Sequence, residues 1–183
     1  MRKILLVLTG AVLFVGCTSE TKSDTAASDS TATVSDAAPA LNLPYTPTYS
    51  SSFKMGNPEY ATTIGQGSWK DWETNNLDNM KNWLADTVVA YHSDNSMVKG
   101  LDSLMARWKR GRAGYTSVLD SINAVMPVYS TDKNENWVLV WAKEINTKAD
   151  GTKDTMYLME TWRLNKDGKA DLLLQYDRAK RKK

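Results

Sequence analysis

The sequence holds one cysteine, Cys17, and one histidine, His92. A single thiol excludes a disulfide within the chain, and one Cys with one His cannot supply the usual zinc sets. Phenylalanine is scarce, at two residues, while tryptophan and tyrosine number seven and eight. That balance suits a core or pocket with wet edges, because Trp and Tyr bury large rings but keep a polar tip. No glycine-rich phosphate loop follows a strand pattern. Asp132-Lys133-Asn134-Glu135-Asn136 begins like a calcium loop, but Trp137 stands where the turn glycine belongs and Lys143 where the bidentate Glu belongs. No cofactor or metal is expected. Cationic excess is also lacking. The formal charge is +2, yet Arg2 and Lys3 precede an apolar run and five more cations fall in Arg178 to Lys183; the remainder sets 16 Lys and Arg against 21 Asp and Glu. A mildly acidic body argues against a nucleic-acid partner. The basic tail, residues 179–183, is either a solvated terminus or a contact for anionic headgroups.

The N-terminus reads as an address. Ile4 to Gly16 is an apolar run of 13 residues behind Arg2 and Lys3, too short for the ~20 residues of a membrane span but right for a signal peptide. Its end, Leu13-Phe14-Val15-Gly16-Cys17, resembles a lipobox, with Phe14 where leucine is preferred. The resemblance implies cleavage after residue 16, lipidation of Cys17 with palmitate among its acyl chains, and a membrane anchor. Thr18 in place of Asp after the cysteine implies, by resemblance to Gram-negative lipoproteins, the outer membrane. Residues 17–52 are then a tether. Of positions 18–40, 19 of 23 are Ser, Thr, Ala or Asp, which cannot bury enough apolar area to offset ordering entropy. Nearer the domain, Tyr45 or Tyr49 is a candidate to dock on it.

The folded domain is expected over residues 53–178. Asn57-Pro58-Glu59 is a helix start, followed by Tyr60, Ile64, Trp69 and Trp72 at helical spacing that Gly65 and Gly67 weaken. Leu77 to Leu84 reads as a second helix, Thr87 to His92 as a strand with Ser96 to Lys99 as its hairpin mate, and Leu101 to Arg112 as a third helix. Four strands follow: Ser117 to Ser130, with Pro127 marking a bend or edge, then Trp137 to Ile145, Thr155 to Leu164 and Ala170 to Asp177. Asp150-Gly151 and Asp167-Gly168 are hairpin signals. The order ααββαββββ makes an α+β domain, helices segregated from an antiparallel sheet.

That order, with Asn76-Leu77-Asp78, Leu84-Ala85-Asp86-Thr87-Val88-Val89, Gly100-Leu101-Asp102-Ser103-Leu104 and Trp162-Arg163-Leu164-Asn165-Lys166-Asp167-Gly168-Lys169, resembles the NTF2-like superfamily, also called SnoaL-like, over residues 57–178. The resemblance implies a curved antiparallel sheet wrapped against three helices, a cone with a pocket. Members include isomerases, dehydratases, cyclases and proteins without known catalysis, so fold does not settle function. Aligned on the first strand and on the Trp162 motif, His92 falls at the place of the ketosteroid isomerase base and Glu160 at that of its oxyanion-stabilising acid. The oxyanion tyrosine's place falls near Ser68.

Alternation supports a pocket independently. Met156, Leu158, Glu160, Trp162 and Leu164 share one face, so Glu160 is a carboxylate on an apolar surface. It must be hydrogen-bonded, raised in pKa or placed in a wet cavity. Val88, Ala90 and His92 share a face of the first strand. Catalytic candidates are therefore His92 and Glu160, each with a structural alternative in bonds to neighbouring groups. Ligand-lining candidates are Trp69, Trp72, Trp108, Leu158 and Trp162, with core packing as the alternative for the aromatics. Trp137, Leu139 and Trp141 share a face that either builds a homodimer through the sheet or packs on helices. Three functions stay open: a membrane-anchored binder of a small apolar or amphipathic ligand, a proton-transfer or dehydratase enzyme using His92 and Glu160, and a protein-interaction module with a filled pocket. The balance leans away from an enzyme.

Overall fold

The computed structural model describes residues 42–178, which belong to one unit of the chain, Ser35–Lys183. The expected signal peptide, Cys17, most of the tether and the tail 179–183 lie outside the described residues. Seven strands form one sheet in the order β1-β4-β5-β6-β7-β2-β3: β1 (Phe53–Met55), β2 (Leu84–Tyr91), β3 (Met97–Lys99), β4 (Ser117–Ser130), β5 (Glu135–Thr147), β6 (Lys153–Leu164) and β7 (Ala170–Asp177). Helices α1 (Pro58–Ile64), α2 (Asp71–Glu73) and α3 (Leu101–Arg112) and a 3-10 helix (Leu77–Asn82) accompany it. Among the described residues no helix is long and apolar enough to cross a membrane.

The first helix starts as its sequence dictates. The Asn57 side chain accepts from the Glu59 backbone N–H at 3.0 Å, with Pro58 in the first turn. Gly65 and Gly67 do not break it. They widen it into a π-helical stretch, Gly65–Lys70, that runs on into α2. Gly67 is there for a reason of space: a Cβ would stand 2.3 Å from the Trp83 ring nitrogen. The expected second α-helix is instead the 3-10 helix. Its three-residue turn stacks Leu77 above Met80, both buried, and Leu84 already belongs to β2. Helix α3 buries Leu104 and Met105.

Strand pairing is antiparallel with one exception. Strands β2 and β7 run parallel, Ala90 opposite Leu173 and Tyr91 opposite Leu174, which corrects the expectation of an all-antiparallel sheet. Strand β1 is an addition that sequence reading placed in no element. It covers only the end of β4, from Val128 to Ser130. Pro127, with no N–H to give, sits where that cover stops, and its carbonyl accepts from the Gly56 N–H at 3.0 Å. A register shift between Ile122 and Ala124 bends β4 further back along the strand. Both Asp-Gly turns carry their glycine at positive φ, 80° at Gly151 and 74° at Gly168.

The helices cover one face of the sheet. There Val138, Val140, Leu158, Trp162, Leu164 and Leu173 form the core with Ile64, Met80, Leu84 and Leu104. Trp137, Leu139 and Trp141 face the other way, so they do not pack on the helices. Tyr49 docks on this outer face: its ring meets Trp137 edge-on at 6.1 Å, and its hydroxyl donates to Glu135. Tyr45 stays exposed.

Candidate ligand-binding site

Between the sheet and the helices lies a cavity of about 340 Å³, within the usual range of small-molecule sites. Three elements supply its aromatic wall: Trp69 from the π-helical stretch, Trp72 from α2 and Trp108 from α3. Met80, Met156 and Leu158 add apolar surface, and Ser68, Tyr115, Arg107, Glu144, Glu160, Gln175 and His92 the polar groups. The sequence candidates His92, Glu160, Trp69, Trp72, Trp108 and Leu158 are thus brought to one cavity. Trp162 is not on its lining. It is fully buried behind the wall, its ring 5.3 Å from Trp83 and 6.3 Å from Trp108, both edge-on. Alternation gave Trp162 the correct face but not its depth.

A row across three strands organises the deepest polar groups. Glu160 on β6 pairs with Gln175 on β7, and β2 lies on the far side of β7 with His92 just past its end. Trp162 Nε1–H donates to Glu160 Oε2 at 3.0 Å, and Gln175 Nε2–H donates to Glu160 Oε1 at 2.9 Å. Both carboxyl oxygens are therefore satisfied. Gln175 then turns its amide oxygen to His92 Nδ1, 3.4 Å away. An oxygen there selects the Nδ1–H tautomer, which leaves Nε2 with a bare lone pair. His92 is 8% exposed, and its Nε2 has no hydrogen-bond partner. Burial lowers the His92 pKa, helped by the Arg107 guanidinium, so the ring is neutral. Burial also pushes Glu160 up to about 7, against the pull of its two hydrogen bonds.

A second acidic group escaped the sequence reading. Glu144 lines the cavity from β5 and stands opposite Asp120 of β4. Burial raises the Glu144 pKa, while the bond from the Asn146 amide and the Arg112 charge oppose the rise. Asp120 is pushed up to about 8 by burial first, then by Glu144, Glu73 and Glu160. Its two carboxyl oxygens are buried with no hydrogen-bond partner. The nearby cation, Arg112, is committed to backbone: Nε donates to Trp72 O at 2.9 Å, Nη1 to Tyr115 O at 2.9 Å and Nη2 to Glu73 O at 3.2 Å. At the mouth Arg107 pairs with Asp94 at 2.9 Å. The signal for Glu144 was in the chain, since it shares its strand face with Val138, Val140 and Ala142, as Glu160 does with Leu158. Among the described residues no group of His, Cys, Asp and Glu could hold a metal ion.

Chemically, the cavity offers apolar walls, a neutral imidazole with a free acceptor, and two carboxyl groups whose pKa burial raises, Glu160 to about 7. A structure from Exiguobacterium described as an NTF2-like protein of unknown function superposes on this chain with a TM-score of 0.55, at 15% identity over 64% of this chain and 99% of that one. The fold is NTF2-like. The same NTF2-like cone occurs in a Mycobacterium tuberculosis epoxide hydrolase described as LEH-like (TM-score 0.52, 14% identity, 66% of this chain and 84% of that one). It also occurs in a Mycobacterium tuberculosis protein solved in complex with estradiol-17beta-hemisuccinate (TM-score 0.53, 17% identity, 64% and 92%). No family model matches the chain, and no curated protein matches it by sequence. At these identities the likeness is one of fold, so the residues of this NTF2-like cone must carry the functional argument.

Proposed function

We propose that this protein is a lipid-anchored NTF2-like domain that binds a small amphipathic molecule in its cone. The observation that carries the reading is the cavity of about 340 Å³, walled by Trp69, Trp72 and Trp108 with Glu160 and His92 set among them. A cone filled by its own side chains would have supported an interaction module instead. Solved NTF2-like structures described as an epoxide hydrolase and as a steroid-ester complex support the same cone serving small molecules. Extraction of the purified full chain, followed by mass spectrometry, tests the reading. A recurring small molecule at near-stoichiometric yield is expected; bulk membrane lipids alone would count against it.

A second reading, proton transfer, is favoured by one specific observation, the unpartnered His92 Nε2 on the cavity wall. A neutral imidazole is a competent base, and a protonated Glu160 could stabilise an oxyanion. Turnover that His92→Ala abolishes while affinity persists would establish it.

The anchor part of the proposal rests on Gly16-Cys17 behind the apolar run. Cys17→Ser should abolish incorporation of labelled palmitate and move the protein to the soluble fraction, and Thr18 after the cysteine supports the outer membrane as the destination of the anchored form. The outer face of the sheet, with Leu119, Met126, Tyr157 and Tyr176 exposed around Leu139 and Trp141, supports a homodimer through the sheet. Light scattering should give twice the monomer mass; a monomer at high concentration would exclude the dimer.

A further inference from the structure

We propose that the ligand is an amphipathic amine, its ammonium group taken up among the carboxyl groups of Glu144 and Glu160 and its apolar body lying against Trp69, Trp72 and Trp108. The inference rests on the cavity being the ligand site and goes on to name the ligand's charge.

The charges facing the cavity decide the sign. Glu160 faces it from β6 and Glu144 from β5, with Asp120 of β4 and Glu73 of α2 within electrostatic reach. Glu73 has Lys70 as its partner. Of the three arginines of α3, Arg112 spends its donors on three backbone carbonyls, Arg107 lines the cavity but is paired with Asp94 at 2.9 Å, and Arg110 is exposed. His92, just past the end of β2, is neutral, and Tyr115 lies beside Glu144 with its phenol pKa raised, burial first and Glu144 second. The interior therefore holds more carboxyl groups than cations. An anionic ligand would add charge of the wrong sign beside Glu144 and Glu160. A neutral apolar ligand would leave them as costly as they are now.

An independent observation asks for donors. His92, nine-tenths buried, lines the cavity with Nε2 unpartnered, and the Gln175 contact makes that nitrogen an acceptor. An ammonium carries three donors and no acceptor, and indole faces attract cations. The indole N–H groups of Trp69 and Trp72, both on the lining, are also unpartnered.

The sign of the pH dependence follows. An ammonium favours ionised carboxylates, so its affinity should rise as Glu160 and Asp120 lose their protons through pH 7 and 8. It should hold until the amine itself deprotonates near pH ~10.

The test uses the full chain in lipid nanodiscs, with empty discs subtracted, and follows tryptophan fluorescence. Three probes share one naphthalene body: 2-(1-naphthyl)ethylamine, the corresponding alcohol and the corresponding carboxylate. At pH 8 the amine should bind about tenfold tighter than the alcohol, and the carboxylate weakest. Amine affinity should rise between pH 6 and 8.5 while alcohol affinity stays level. Glu144→Gln and Glu160→Gln should each shrink the amine's advantage. An alcohol binding as tightly as the amine, or a carboxylate binding best, would overturn the charge assignment and leave the cavity reading intact. Failure of all three probes to bind would overturn both. If a Gln variant does not fold, the three-probe comparison and the pH series on the unaltered chain decide alone.

Discussion

Replacing Arg112 with methionine is expected to lower unfolding free energy by about 4 kcal/mol, in the range for breaking a buried charge network. Arg112 is 5% exposed, and it ties together backbone from α2, the end of α3 and the approach to β4 through three carbonyls. Two of those carbonyls lie where α2 stops, and only Trp72 O has a second donor, the Asn75 N–H at 3.2 Å. Methionine fills much of the volume but leaves the Glu73 and Tyr115 oxygens dry, at about 1–3 kcal/mol each without full additivity, while Trp72 O keeps the Asn75 N–H at 3.2 Å. The same substitution removes the cation that holds Asp120 and Glu144 down. Arg112→Lys keeps the charge but lacks the planar fork and should recover only part of the loss. Urea unfolding of both variants measures this; a cost for Arg112→Met under 1 kcal/mol would show that the bonds to backbone are not what holds that end.

Without ligand, the protein should lose stability as pH rises from about 4.5 to 8.5. The carboxyl groups of Asp120, Glu144 and Glu160 all have folded-state pKa values above their ordinary ones, with burial the first cause in each. In that window these three carboxyl groups hold protons that the unfolded chain has released, which outweighs the opposite contribution of His92, its pKa lowered by burial, below pH 6.5, so unfolding free energy falls with pH. The loss ends once pH passes the folded values, about 7 for Glu160 and about 8 for Asp120. Asp94, Asp132, Asp150 and Glu73 are held low by hydrogen bonds and cations; their contribution is present at neutral pH and lost only in acid, below the window. Asp120→Asn should stabilise the protein at pH 8.5 by about 1–3 kcal/mol, discounted for the partial exposure of the site, and do little at pH 4.5. Thermal unfolding of parent and variant across the range is the measurement. A flat or rising profile for the parent would mean that water reaches these carboxyl groups.

How much of this was legible in the chain varies with the range of the forces involved. Local signals worked. Helix α3 and strands β4 and β7 fall at the residues where periodicity puts them, and the Asp-Gly turns are where their backbone demands a left-handed glycine. Glu160 stood out because one carboxylate on an apolar face violates the pattern of its strand. Glu144 violates its own strand in the same way, but the conspicuous Trp137, Leu139 and Trp141 on the opposite face drew the reading. Asp120 gave less to read: β4 carries a register shift and exposed apolar residues on both faces, so its alternation is weak. Non-local features left no local trace. Nothing in Leu84 to Tyr91 announces a parallel partner in β7. The burial of Arg112 depends on carbonyls roughly 40 positions away. Trp162 shows the limit of face assignment, since Trp83 and Trp108, which seal it from the cavity, come from other elements.

The account turns on the cavity itself, and Gly111 gives direct access to it. This residue lines the cavity from α3, and a Cβ there would make ordinary contact with the Trp72 ring at 3.7 Å. Gly111→Leu should therefore extend into the hollow while gaining helix propensity. The decisive measurement is the amount of small molecule that mass spectrometry recovers per mole of purified full chain, parent against Gly111→Leu. The account predicts a ligand in the parent and a near-complete loss in a variant that melts no lower. Equal recovery from both would place the ligand elsewhere and contradict the proposal.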